Sequence, residues 1–486
     1  MAIRLYNTAG RRKEEFHPLR SGRVGIYVCG VTVYDLCHIG HARSAIVFDV
    51  LVRYLRARGF DVNYVRNFTD VDDKIIERAR QTGKETGILA QEYIDAFYED
   101  MERIGVLKAD VEPRATEHIN GMIDMINTLV SKGFAYVEDR DVFFSVEKFE
   151  DYGKLSGRRL EDMKAGSRVA VDMRKRHPMD FALWKGAKPG EPQWPSPWGP
   201  GRPGWHMECS VMSNHFLGAT FDIHGGGKDL LFPHHENERA QSIAANNGEF
   251  ARYWVHNGFV TIESEKMSKS LGNFLTIQDA LISYHPEVLR LFLLSKHYRS
   301  PLDFSKDAVF DLQSGLVRIY RTLQRLESLI GGYEDEKDVP IPASLAGEQK
   351  DKFLEMFIRI MDDDLNTAGA VGLIFEKVKE MNRLMDSIGS RPDERITGLL
   401  KNDRHHLFKA ARVLGLLDEH PENFFRKLSH SAEGIDADEI ERMIEERTKA
   451  RAEKDWAKAD VIRERLQTMG VVLEDRPQGT RWRFDV

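Results

Sequence analysis

Three groups of residues combine side-chain type and spacing in ways that suit chemistry. The first is His38-Ile39-Gly40-His41, between an apolar run ending in Val28-Cys29-Gly30 and a helical pattern from Ala42 to Arg58. A helix start offers free N–H groups and the positive end of its dipole, and both suit a phosphate. Gly40 lets the backbone come close, so both imidazoles can face that phosphate. The same four residues also suit a turn with two incidental histidines. The second group is Lys266-Met267-Ser268-Lys269-Ser270, ahead of Leu271-Gly272-Asn273. Two lysines and two hydroxyls in five residues make either a cationic clamp for a polyphosphate or an ordinary solvated loop. The third is dispersed. His234 and Glu238 stand at i and i+4 on one expected helix face, Cys29 ends the first apolar run, and Cys209 sits in Gly204-Trp205-His206-Met207-Glu208-Cys209-Ser210. Converging at one crevice, two thiolates, an imidazole and a carboxylate make a zinc site; scattered, they are core residues and helix-face charges.

The histidine and lysine motifs together, each on a strand-to-helix connection, resemble the paired signatures of class I aminoacyl-tRNA synthetases. The resemblance implies that they hold ATP and stabilise the departing pyrophosphate while an amino acid attacks the α-phosphorus. That is catalysis by positioning and electrostatics, without a covalent enzyme intermediate. Further segments narrow the match: Cys29-Gly30-Val31-Thr32-Val33-Tyr34-Asp35, the Gly204–Ser210 segment, Gly225-Gly226-Gly227-Lys228-Asp229-Leu230 and Pro233-His234-His235-Glu236-Asn237-Glu238. In this order, over nearly the whole chain, they are similar to the cysteinyl-tRNA synthetases.

This closer resemblance implies a zinc ion on Cys29, Cys209, His234 and Glu238 that binds the thiolate of L-cysteine. It implies a substrate pocket with Trp205, His224, Thr32 and Thr69. ATP, with Mg2+, falls to His38, Gly40, His41, Gly226, Asp229, Lys266, Ser268 and Lys269, of which His38, His41, Lys266 and Lys269 are catalytic. An apolar pocket separates cysteine from serine or alanine by only about 1–3 kcal/mol, whereas zinc prefers a soft thiolate, so no editing domain is expected. Cys37, beside His38, has no base-and-orienter set and adenylation needs no thiol nucleophile, so it reads as a bystander. The acceptor implied is tRNA(Cys). Arg451, Trp456 and Asp460, placed with Lys454 and Lys458 on one expected helix, are the anticodon candidates, since unpaired bases are read by stacking and edge hydrogen bonds. An ordinary salt-bridged helix would carry the same residues. A cysteine ligase with an amino-sugar acceptor, as in mycothiol synthesis, and a non-catalytic RNA-binding paralogue are the competing readings. The segment of roughly 50 residues after Glu439 counts against the first, and the two intact phosphate motifs against the second.

Elements must bring these groups together. Arg23–Val28 and Val62–Val65 read as buried parallel strands, with helices over Ala42–Arg58, about Val71–Arg80 and Ile88–Ile104. This alternation predicts an α/β fold with a doubly wound, Rossmann-type parallel sheet and ligands at the carboxyl ends of its strands. Residues 1–114 and 205–260 form the expected catalytic domain. Residues 115–204 form an inserted connective domain, whose tract from Pro178 to Gly204 holds seven of the 17 prolines and reads as loop outside any regular sheet. Residues 261–310 carry the lysine clamp and linking helices, 311–428 a helical tRNA-binding bundle, and 429–486 a C-terminal anticodon module. In Asp362-Asp363-Asp364-Leu365-Asn366-Thr367, Asp364 or Asn366 reads as a helix cap.

Composition bounds these readings. With 486 residues, 30% charged and 10% aromatic, the chain is outside the disordered classes. Three cysteines exclude a disulfide framework and predict a reducing, cytoplasmic setting. No apolar run reaches membrane-spanning length. The net charge of −7 requires a polyanionic partner to be met by local basic patches. A monomer is expected.

Overall fold

The computed structural model describes residues 2–160, 173–263, 265–266, 274–330, 345, 351–388, 394–431, 437–452, 455–468, 471–476 and 479–484. At its centre four parallel strands lie in the order Ala251–Asn257, Phe221–Gly227, Arg23–Val28, Asp61–Arg66. The chain starts in the middle, at Arg23–Val28, and extends the sheet outward on both sides. The order therefore reverses between Arg23–Val28 and Phe221–Gly227, which opens a crevice at their carboxyl ends. Val28 pairs with Gly225 on one side and Arg66 on the other, so Cys29, Gly226 and Asn67 emerge at one level. Successive residues of Arg23–Val28 feed opposite cores. Ile26 and Val28 join the side packed by helix Ile39–Ala57, and Tyr27 joins the side packed by Ile119–Ser131 and Trp205–Leu217. Burial on both faces explains why the strand is apolar without alternation.

Between the two halves of this sheet, strands Ala135–Glu138, Asp141–Phe144, Phe181–Gly186 and Gly201–Pro203 make an antiparallel sheet. This corrects the expectation that the proline-rich tract lies outside any sheet, because it supplies two of the four strands. The physical reason is position: Gly201–Pro203 is the edge strand, where a proline's missing N–H does not interrupt a ladder. An amino-terminal hairpin, Arg4–Asn7 with Arg12–Glu15, was likewise not foreseen. Beyond strand Leu302–Phe304 come helices Lys306–Ile330, Lys352–Asp362, Thr367–Asp386, Glu394–Val413 and Pro421–Ser431. Asn366 caps Thr367–Asp386 by accepting from Gly369 N (2.9 Å), whereas Asp364 is buried and accepts from Tyr6 N, Tyr298 Oη and Arg299. Among the described residues no helix is long and apolar enough to cross a membrane.

Helix Ile39–Ala57 is tied to the helical region through Asp49. Its carboxylate accepts from Arg53 Nε (2.8 Å), Arg290 and Leu107 N (3.1 Å). Arg53 reaches the carbonyls of Gly105 and Arg412, and Arg290 those of Ile104, Gly105 and Leu414. These carbonyls lie at or just beyond the ends of helices Thr86–Arg103 and Glu394–Val413, where cations complement the negative ends of the dipoles.

Candidate active site and metal centre

Cys29 leaves the carboxyl end of Arg23–Val28, and its amide donates to Gly225 O (3.2 Å). Cys209 lies in the second turn of helix Trp205–Leu217, and Glu238 in the first turn of Glu236–Asn246. His234 stands just before that helix, beyond a kink at which Phe232 is extended, and the four-residue spacing holds across the junction: His234 Nε2 is 2.9 Å from Glu238 Oε1. Cys29 Sγ lies 3.5 Å from Cys209 Sγ and 3.3 Å from Glu238 Oε1. One donor atom from each of the four residues lies within 4.8 Å of the others. Residues dispersed along the sequence thus form one group that could hold a metal, at the crevice where the sheet order reverses.

The electrostatics of this group follow from burial and closeness. Burial opposes ionisation of Cys209, but the Cys29 thiol and the protonated His234 ring, whose own pKa Glu238 and Cys209 raise to about 10 despite burial, bring its pKa down to about 6. Burial, reinforced by Cys209, pushes Cys29 well up, so the pair carries one thiolate. Glu238 is held well below the ordinary carboxylate value despite burial, by His224 and His234. A soft thiolate, an imidazole and a carboxylate in a buried setting are the donor chemistry of a zinc-type site. A second set, Cys29, His224, His235 and Glu238, also falls within 4.8 Å, but it has one sulfur instead of two. Its His224 Nε2 is engaged 2.8 Å from Glu238 Oε2, and its His235 Nδ1 lies 2.8 Å from His256 Nε2.

The substrate-pocket candidates divide. Trp205 stacks on His234, ring centroids 4.2 Å apart, against the metal-ligand group. His224 has no exposed surface and backs Glu238. Thr69 is buried, its hydroxyl donating to Glu208 Oε2 (2.7 Å), and it bridges through the backbone to Thr32. Several supporting residues have no signal in the sequence beyond adjacency. His206 Nδ1 lies 3.0 Å from His234 Nδ1, and Asn67 Oδ1 accepts from Gly30 N (2.9 Å).

His38 is the N-cap of helix Ile39–Ala57. Its Nδ1 accepts from Gly40 N (3.0 Å), and His41 Nδ1 accepts from His38 N (3.2 Å). With each Nδ1 accepting, the proton of each neutral ring sits on Nε2. Burial lowers the pKa of His38, and burial with the neighbouring His38 and Lys74 takes His41 down to about 3. The pair therefore presents two neutral rings with Nε2–H beside a helix N-terminus. Gly226 is crowded, as a Cβ there would meet the His235 ring at 2.9 Å. Asp229 is exposed on the turn after Phe221–Gly227 and acts electrostatically on His38. Lys266 ends the short strand Glu265–Lys266, which pairs with Val260–Ile262. Ser268 and Lys269 lie outside the described residues.

In the tail, Arg451 lies in the last turn of helix Ala437–Ala452 while Trp456 opens helix Trp456–Thr468, which also carries Asp460. This corrects the single helix expected for them: Asp455 N donates to Ala450 O as the first helix closes, and its carboxylate accepts from Lys458 N as the next begins. Trp456 is 59% exposed. The chain then forms strands Val471–Arg476 and Gly479–Phe484, pairing Leu473 with Trp482.

Comparison with known proteins agrees across the chain. Residues 15–314 match the class I (C) tRNA synthetase catalytic domain, 356–418 the DALR domain, and 437–483 the cysteinyl-tRNA ligase anticodon binding domain. The cysteine–tRNA ligase of Syntrophobacter fumaroxidans is 54% identical over 99% of this chain and 100% of its own length. That of Geobacter metallireducens is 54% identical over the same shares. Among solved structures, Mycobacterium tuberculosis methionyl-tRNA synthetase in complex with methionyl-adenylate shares the fold, with a TM-score of 0.61 at 17% identity, covering 84% of this chain and 93% of that one. Catalytic sheet, helical region and tail together place this chain in the cysteine–tRNA ligase family of class I aminoacyl-tRNA synthetases.

Proposed function

We propose that the chain ligates L-cysteine to tRNA(Cys) through a cysteinyl-adenylate, with a zinc ion on Cys29, Cys209, His234 and Glu238 selecting the amino acid. The observation that carries this reading is the closure of those four donors, two of them thiols, at the sheet crevice. Zinc bound there supplies a soft Lewis acid that favours a thiolate over a hydroxyl. Around it, His224 holds the Glu238 carboxylate and His206 orients the His234 ring, the supporting contacts that ligands of this kind need. Trp205 lies over His234.

In adenylation a cysteine carboxylate oxygen attacks the α-phosphorus of ATP, and the bond to pyrophosphate breaks. His38 and His41, as neutral Nε2–H donors, stabilise the charge on the phosphates without a proton transfer, and Lys266 and Lys269 steady the leaving pyrophosphate. Asp229 suits the ribose and Gly226 lets the nucleotide approach. Mg2+ accompanies ATP. A terminal ribose hydroxyl of tRNA then attacks the acyl carbon and AMP leaves, with Arg451, Trp456 and Asp460 reading the anticodon. The domain division given above, a monomeric state and a cytoplasmic setting belong to the same reading. An amino-sugar acceptor is disfavoured by the match of residues 437–483 to an anticodon binding domain.

Cysteine-dependent ATP–pyrophosphate exchange, with serine as control and zinc measured in the same samples, tests it. Cys209→Ser is expected to lose zinc and weaken cysteine binding together by more than about tenfold. Full zinc content with normal cysteine affinity in that variant would overturn the assignment.

A further inference from the structure

The histidine motif meets the segment that follows the lysine-rich loop at the aromatic ring of Phe274. Ile39 N donates to Leu275 O (3.1 Å) and Ile277 N donates to Cys37 O (2.9 Å), so residues 275–277 pair antiparallel with 37–39, His38 opposite Thr276. This register sets the Phe274 ring against the His38 ring, with centroids 5.2 Å apart and planes at 82°. His41 stacks on His38 at 3.8 Å and 21°, and Gly40 N donates to His38 Nδ1. His38 is therefore held by one hydrogen bond, one stacked ring and one perpendicular ring. The hydrogen bond defines which nitrogen carries the proton. The two rings restrict rotation about χ2, which is otherwise broad for an imidazole. A perpendicular aromatic pair is directional in a way that an aliphatic contact of equal size is not.

We propose that Phe274 is a positioning residue for adenylation, holding the His38 imidazole so that its Nε2–H stays directed at the ATP phosphates. The proposal rests on the reading of His38 as a phosphate donor and names what keeps that donor aimed. The proposed effect of Phe274 on the reaction runs through the ring of His38. Misdirection of a donor by a fraction of its length is enough to slow a reaction that depends on positioning.

The test uses the full-length, zinc-loaded protein in cysteine-dependent pyrophosphate exchange, with ATP and cysteine varied separately. Phe274→Ala is expected to lower kcat about tenfold or more, with KM for cysteine and zinc content unchanged. Phe274→Tyr is expected to restore kcat, and Phe274→Leu, of similar bulk without a ring, is not. Long-range 1H–15N spectra of histidine-labelled protein are expected to show His38 as a single Nε2–H tautomer in the wild type and as a mixture in Phe274→Ala. Wild-type kcat in Phe274→Leu, or a lower kcat accompanied by a raised KM for cysteine and a lower melting temperature in Phe274→Ala, would overturn the positioning role. His38→Ala separates the two levels. Unchanged exchange in that variant overturns the phosphate reading itself. An inactive His38→Ala beside a fully active Phe274→Ala overturns only the role of Phe274.

Discussion

Gly30 has no room for a side chain, because a Cβ there would lie 1.5 Å from the carbonyl oxygen of Asn67. The same asparagine accepts the Gly30 N–H through its side chain, so the residue after Cys29 is gripped from two directions. Gly30→Ala must push Cys29 away from Cys209 and Glu238. Metal content measured by plasma mass spectrometry is expected to fall about tenfold or more, the scale on which disturbed supporting contacts weaken metal sites. Retention of full metal would show that the segment yields without moving the thiol. Cys37 behaves oppositely. Burial pushes its thiol up to about 12, and it packs in the core below the histidine pair. Cys37→Ser should keep pyrophosphate exchange near wild type and lower stability by about 1–3 kcal/mol, the cost of burying a hydroxyl without a partner. A large loss of exchange with unchanged melting would assign Cys37 a chemical role.

At the level of elements, helix Pro286–Leu294 carries a buried acid that reports its packing. Glu287 accepts from Tyr320 Oη (2.5 Å) and from Leu417 N (2.6 Å), and burial, only partly offset by these bonds, raises its pKa to about 7. Unfolded, the same carboxyl titrates near 4.5, so the folded chain keeps a proton that the unfolded chain has lost. Stability therefore falls as pH rises from about 4.5 to 7, by on the order of 3 kcal/mol, and then levels off. Glu287→Gln removes this dependence, and unfolding in urea at several pH values should show a flatter profile than the wild type. The elements differ in how visible they are in the sequence. Arg23–Val28 and Ile39–Ala57 stand out because two-sided burial and a 3.6-residue period leave apolar patterns. The amino-terminal hairpin does not, since its four-residue strands, Arg-Leu-Tyr-Asn and Arg-Lys-Glu-Glu, are stabilised by contacts with Trp254 and Tyr253 far along the chain. Gly201–Pro203 is hidden by its own proline. For the site, Cys29, Cys209, His234 and Glu238 are named together through the family resemblance, since residue type alone leaves them open between ligands and core residues; their convergence, like the contacts of Asn67, His206 and Glu208, exists only once the sheet and its helices are in place.

For the molecule as a whole, the knot at Asp49 joins the helix capped by His38 to segments from three other parts of the chain, 104–107, Arg290 and 412–414. Burial opposes its charge, yet Arg290 and Arg53 hold the Asp49 carboxyl below its ordinary value. The contribution is complete above the ordinary carboxylate pKa and is lost as pH falls through the lowered one. Asp49→Ala leaves two buried guanidinium groups without their shared anion and is expected to cost about 3–5 kcal/mol of stability, read from denaturant unfolding. A loss below about 1 kcal/mol, the range of exposed ion pairs, would mean that water enters the knot in solution.

Cys29 and Glu238 stand 209 positions apart along the chain and 3.3 Å apart in space. During synthesis the four donors do not exist together until the ribosome has delivered Glu238, and they do not face one another until Phe221–Gly227 has docked beside Arg23–Val28. A metal seated across them works as a cross-link over a very long loop, taking more freedom from the unfolded chain than a short closure would. Metal capture thus doubles as a signal that the two halves of the catalytic sheet have found each other, and a chain stalled before that point has no complete seat to fill.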